Sequence, residues 1–118
     1  MDLERLQGTW GAVRIEKRGN PVPADLAETV RYIFDGDRVT LTEGDVRAGA
    51  GVIRLDPTAD PRSFDFTATE GPRPQDGATA MGIYRVEGDA LTMCLGYVRP
   101  SEFTGATEAA LVELTRLV

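Results

Sequence analysis

Three similar tripeptides, Asp35-Gly36-Asp37, Glu43-Gly44-Asp45 and Glu87-Gly88-Asp89, cut this chain into short runs of alternating apolar residues. An acidic residue followed by glycine between two such runs is a tight-turn signal, because glycine reaches the positive φ that short hairpin loops require. Around these turns the apolar side chains recur at every second position, the period of a half-buried strand. Val30, Tyr32 and Phe34 share a face, as do Val39 and Leu41, and Phe64 and Phe66. Leu91, Met93, Leu95 and Tyr97 give the longest alternation.

A pass along the chain predicts eight strands, over about 9–17, 30–34, 38–42, 48–55, 63–67, 78–86, 90–98 and 109–117. A helical turn precedes the first at Leu3 to Leu6. One short helix is predicted at Pro23-Ala24-Asp25-Leu26-Ala27-Glu28, where proline suits the first helical position. Arg18-Gly19-Asn20-Pro21 reads as a turn, and Gly49 and Gly51 predict a bend or a close backbone approach. Short connections favour antiparallel neighbours. Eight meandering strands without edge protection are best accommodated by closure, so the expected fold is all-β: an eight-stranded antiparallel up-and-down barrel filling residues 1–118 as one domain. A two-sheet sandwich is the alternative.

Composition narrows the function classes. At 118 residues and 42% hydrophobic, the chain has apolar material for one core without a staple. Its single cysteine, Cys94, allows no internal disulfide and fits a reducing compartment. A formal charge of −6 without a basic cluster argues against nucleic acid as a partner. No apolar run approaches a helical membrane span, and Met1-Asp2-Leu3-Glu4-Arg5 lacks the basic start and apolar stretch of a secretory signal, so a cytoplasmic location is expected. The absence of histidine excludes His-dependent triads, Cys–His dyads and histidine zinc sites. No segment matches a phosphate-binding glycine loop, and no cofactor is expected. Asp56, Asp60 and Asp65 do not have the spacing of a calcium loop; Asp-Pro turns account for them, and no metal is expected.

Gly8-Thr9-Trp10, opening the first strand after a helical turn, resembles the Gly-x-Trp signature of lipocalins. A wider pattern runs in the same order along residues 2 to 117: Leu6-Gln7-Gly8-Thr9-Trp10, Pro21-Val22-Pro23, Phe34-Asp35-Gly36-Asp37, Leu55 through Pro61, Asp65-Phe66-Thr67, Gly82-Ile83-Tyr84, Gly88-Asp89-Ala90-Leu91 and Cys94. It is similar to that of a family of small lipocalin-like domains abundant in planctomycetes and found in other bacteria. The resemblance implies a lipocalin-like barrel with Trp10 at its closed base and Arg116 of the last strand lying across the ring. It implies no catalytic residues. This chain carries Ile53 where that pattern has an aromatic, a difference that bears on pocket shape.

Three function classes remain open. The first is binding of a small, largely apolar molecule in the barrel. Tyr32, Tyr84, Met93 and Tyr97 would line the cavity with tyrosine hydroxyls as polar handles, beside Trp10, and Arg14 or Arg99 would orient a polar end. The second is a cofactor-free cyclase, isomerase or dehydratase acting on a bound hydrophobic metabolite, with Glu16, Arg14 and Tyr84 as its catalytic groups. The third is a filled barrel serving as an interaction module, whether monomer or homodimer. Strict alternation in the first strand puts Trp10, Ala12, Arg14 and Glu16 on one face and Val13 and Ile15 on the other. Inward charges there would mark a site; a bulge after Trp10 would instead leave both in water. Arg99 and Glu102 are either an entrance for an anionic group or a surface ion pair. Cys94 faces away from Met93 and Leu95 and reads as packing.

Overall fold

The computed structural model describes residues 2–17, 19–70, 79–96, 99–100, 102–103 and 110–117. In chain order these form α1 (Asp2–Leu6), β1 (Gly8–Lys17), β2 (Asn20–Pro21), α2 (Ala24–Ala27), β3 (Val30–Asp35), β4 (Arg38–Glu43), β5 (Val46–Asp56), β6 (Ser63–Glu70), β7 (Thr79–Glu87), β8 (Ala90–Gly96) and β9 (Ala110–Leu117). From β3 onward each strand pairs antiparallel with the next. β9 then returns to β1, from Thr9 opposite Leu117 to Lys17 opposite Ala110. The sheet is therefore a closed eight-stranded antiparallel barrel, and the sandwich alternative is excluded. Asn20-Pro21, read as a turn, is a two-residue strand hairpinned onto the end of β1.

Closure depends on local irregularities that bend the strands. In β1 the register against β9 skips one residue between Ala12 and Arg14. Val13 is the extra residue and stands 55% exposed. Trp10 and Ala12 face inward before this bulge and Ile15 faces inward after it, so strict alternation is wrong beyond Ala12: Ile15 joins the core, and Arg14 turns outward. Further register shifts fall in the β4–β5 ladder near Gly49 and in the β5–β6 ladder near Gly51. Two glycines permit close crossings. A Cβ on Gly51 would lie 2.5 Å from the Phe66 ring, and one on Gly82 would lie 2.4 Å from the Phe64 ring. The two phenylalanines of β6 thus fold over glycines of the strands on either side, the aromatic–glycine pairing that curved sheets use.

The end of the barrel where β1 begins is closed by α1 and by one guanidinium. Trp10 has no exposed surface, and its Nε1 donates to the Leu6 carbonyl at 2.8 Å. Arg116 lies over the indole with Cζ 4.3 Å from the ring centroid, the contact that the sequence resemblance implied. The same guanidinium donates to the carbonyls of Gln7 and Arg5 and to Asp89. Gln7 in turn brackets Gly36 in the β3–β4 turn, donating to its carbonyl and accepting from its amide. The orphan carbonyls at the end of α1 are thereby satisfied by side chains that also weld it to the base.

At the opposite end β1 and β3 part company. Their ladder stops at Gly11 opposite Arg31. The gap is filled by α2, which packs on β1 and buries Ala27, while Val22 and Val30 pack against the same core. No described helix is long and apolar enough to cross a membrane.

Candidate functional site

The barrel interior holds an apolar cavity of about 120 Å³. Its wall is built by strand alternation: Tyr32 and Phe34 from β3, Val39 and Leu41 from β4, Ile53 from β5, Phe64 and Phe66 from β6, Met93 and Leu95 from β8. Phe34, Val39, Ile53, Phe64 and Met93 are buried, whereas Tyr32, Leu41, Phe66 and Leu95 are half-buried. The half-buried set lies toward the end where α2 sits, so among the described residues the cavity wall is more exposed there than toward the Trp10 base. Ile53 takes its place in the wall; an aromatic ring there would occupy part of the space.

The wall is almost wholly apolar. The described lining has almost no polar surface, so Tyr32 contributes its ring and not a hydroxyl handle. Tyr32 is nonetheless the one ionisable group among the described wall residues. Burial, with the Glu43 carboxylate adding to it, pushes its phenol up to about 12, so it stays protonated across the neutral range. This has a measurable sign. A phenol held neutral by the fold stabilises it fully below its unfolded value of 10.0, and that stability drains as pH rises toward about 12. Denaturant titrations at increasing alkaline pH should show a steeper loss for the parent protein than for Tyr32→Phe. Equal slopes would show that Tyr32 is not held neutral by its surroundings.

Of the other sequence-predicted residues that the structure describes, Met93 lines this cavity beside Tyr32 and the rest do not. Tyr97 lies outside the described residues. Trp10 is a base residue locked under Arg116 and not part of the wall. Tyr84 is buried near the base, where its hydroxyl donates to Asp2 at 2.7 Å and its ring tilts against Phe64. Burial first, and the Asp2 contact second, raise its phenol well above the usual value. Arg62 donates to the same Asp2 oxygen at 3.1 Å, so the three side chains tie α1 to β7.

Arg14 and Glu16 sit on the outer wall. Arg14 Nη2 donates to Glu16 at 2.7 Å, and its Nη1 is 3.7 Å from Glu113 on the neighbouring β9. The bulge at Val13 put them there. Glu16, Arg14 and Tyr84 are therefore separated: two stand outside the barrel and one is near its base.

Arg99 also faces an outer wall. Its Nη1 donates to the carbonyls of Phe64 and Gly82, and its Nη2 meets Asp65 at 2.5 Å. It clamps the segment after β8 onto β6 and β7, and its donors go to the sheet. Phe103, further along that segment, covers a second apolar cluster of Ile83, Cys94 and Leu111 on the barrel exterior, with Arg85 4.9 Å from its ring centroid. The Cys94 thiol is sealed in this cluster. In the 56–61 loop, Asp56 accepts from the amide and hydroxyl of Thr58, bonds that hold its carboxyl below the ordinary range. The described residues contain no group of three potential ligands able to hold a metal ion.

No protein-family model, curated protein or solved structure matches this chain. Its chemistry must be read from the geometry alone.

Proposed function

We propose that this protein binds a small apolar molecule, or the apolar end of a larger one, inside the barrel. The observation that carries this reading is the apolar cavity of about 120 Å³ inside the barrel, whose described wall residues are more exposed at the end away from Trp10. A cavity of roughly 150 Å³ lined by aliphatic and aromatic side chains stays dry and accepts benzene. This one is of similar kind and far smaller than the several hundred Å³ of a drug-sized pocket. It suits one ring or a short branched chain. A lipocalin-like kinship belongs to the same proposal and is supported by Arg116 over Trp10 at the barrel base.

The cyclase, isomerase or dehydratase reading has no comparable support. Among the described residues, the only ionisable group in the wall is a phenol held near 12, a poor proton carrier at neutral pH.

The test is thermal unfolding with benzene, toluene and ethylbenzene. A ligand bound only to the native state raises Tm in a concentration-dependent way. The parent protein should respond, and Leu41→Phe, which fills the cavity from β4, should keep its fold and lose at least about tenfold in affinity. No shift with any of the three hydrocarbons would sink the proposal.

A further inference from the structure

The occupant's head group can be inferred from the row of side chains above the cavity, an inference that rests on the apolar-binding reading just given. β3 and β4 keep an unbroken register, with Phe34 opposite Val39, Tyr32 opposite Leu41 and Val30 opposite Glu43. The first two pairs line the cavity. The third lies on the same inner face one row higher, because strand side chains alternate with a period of two. On the other side of β4, Val46 of β5 stands opposite Glu43. The rim on this side of the barrel therefore reads Val30, Glu43, Val46: one carboxylate between two apolar residues. Val46 is 67% exposed, whereas Val30 is half-buried against the core. Glu43 is exposed and close enough to Tyr32 to act on its phenol.

We infer that the ligand is a cationic amphiphile, an ammonium group attached to a small apolar body, with the body in the cavity and the ammonium at Glu43. The geometry favours a cation on two further grounds. The cavity wall next to Glu43 presents the aromatic ring of Tyr32, and aromatic faces attract ammonium groups. The described charges at this end are of both signs, but two of the cations lie on outer rows. Asp25 and Glu28 flank α2 and Asp45 sits in the β4–β5 turn, against Lys17 at the end of β1. Arg31 points outward, where it approaches Gly11. Arg47 lies opposite Thr42, on the outer row of β4. An anionic head group would meet Glu43 at the apolar rim with no described cation in that row to offset it.

Matched ligands separate this inference from the reading beneath it. Ethylbenzene, phenethylamine and 3-phenylpropionate share one apolar body and differ in head group. Calorimetric titration at low ionic strength should rank phenethylamine about tenfold or more above 3-phenylpropionate, the attraction and the repulsion by one rim charge combined. Glu43→Gln should bring the two together while leaving ethylbenzene affinity unchanged, and added salt should narrow the gap in the parent protein. Ethylbenzene binding with equal affinities for amine and carboxylate overturns the cation preference alone. An amine preference that survives Glu43→Gln also overturns it, since Glu43 would not be its source. Failure of ethylbenzene itself to bind overturns the cavity reading and this inference with it.

Discussion

Trp10→Ala should cost about 3–5 kcal/mol of folding stability, the range for removing a large buried aromatic side chain. The ring has no exposed surface and takes part in three separate fixings of the base. It packs in the core, its Nε1 holds the Leu6 carbonyl at the end of α1, and it is the platform beneath Arg116. Truncation would leave a cavity, an unpaired carbonyl and a guanidinium without its ring. Trp10→Phe keeps most of the packing and drops the N–H bond, so its cost should be smaller, on the order of 1–2 kcal/mol. Urea unfolding followed by circular dichroism measures both, since the variants lack the only tryptophan. A loss under about 1 kcal/mol for the alanine variant would show that the base is held by something other than this residue.

Gly51→Ala is the second large effect, and it comes from one added methyl group. The new Cβ would sit 2.4 Å from the Thr67 carbonyl oxygen and 2.5 Å from the Phe66 ring. The ring can swing away, but the carbonyl belongs to the β5–β6 ladder and moves only by opening it. Overpacking of this kind costs about 1–3 kcal/mol, and the immobile oxygen puts this site at the upper end. Gly36 is the control, because a Cβ there meets nothing within 4 Å. Its alanine variant should lose only about 1 kcal/mol, from the strained positive φ. Adding Phe66→Leu to Gly51→Ala should recover part of the loss, a coupling that a double-mutant cycle reads directly. Full additivity would mean that the ring is not the obstacle.

The sequence was legible where side chains obey one simple period. The hairpin turns at Gly36, Gly44 and Gly88, the alternation of Val30, Tyr32 and Phe34, and that of Leu91, Met93 and Leu95 all lead to the observed strands. Their inward members form much of the cavity wall. It was less legible where a bulge resets the period: a bulge after Trp10 is one of two readings of the first strand, and the register bears that reading out at a position the residues alone do not fix. Nothing in Gly11-Ala12-Val13-Arg14 announces that Val13 is surplus, because the bulge is imposed by pairing with β9, more than ninety positions away in sequence. The same limit hid the fate of Arg99. A loop arginine near a barrel end suggests an anion site, but its actual partners are two main-chain carbonyls, which carry no side-chain signature. Tyr84 looked like a catalytic phenol until Asp2, 82 positions away in sequence, was found holding its hydroxyl. The role proposed for Glu43 was hidden for a plainer reason. It belongs to a turn signal, and only the β3–β4 register shows that it also continues the inward row above Leu41.

The return of β9 to β1 also determines how the molecule can be handled. Thr9 pairs with Leu117, and α1 then leads across the base to Asp2 beside Tyr84, so both ends of the described chain lie at the base. A tag, a surface tether or a fused domain attached at either end would hang beneath Trp10 and leave the rim at Glu43 clear. A short peptide could join these ends, and the β4–β5 hairpin at Gly44 or the β7–β8 hairpin at Gly88 then offers a place to reopen the chain with the barrel intact. Cutting at Gly44 would free the strand that carries Glu43 from its turn and leave the base untouched. Circular permutation would thereby separate the stability of the container from the composition of its rim.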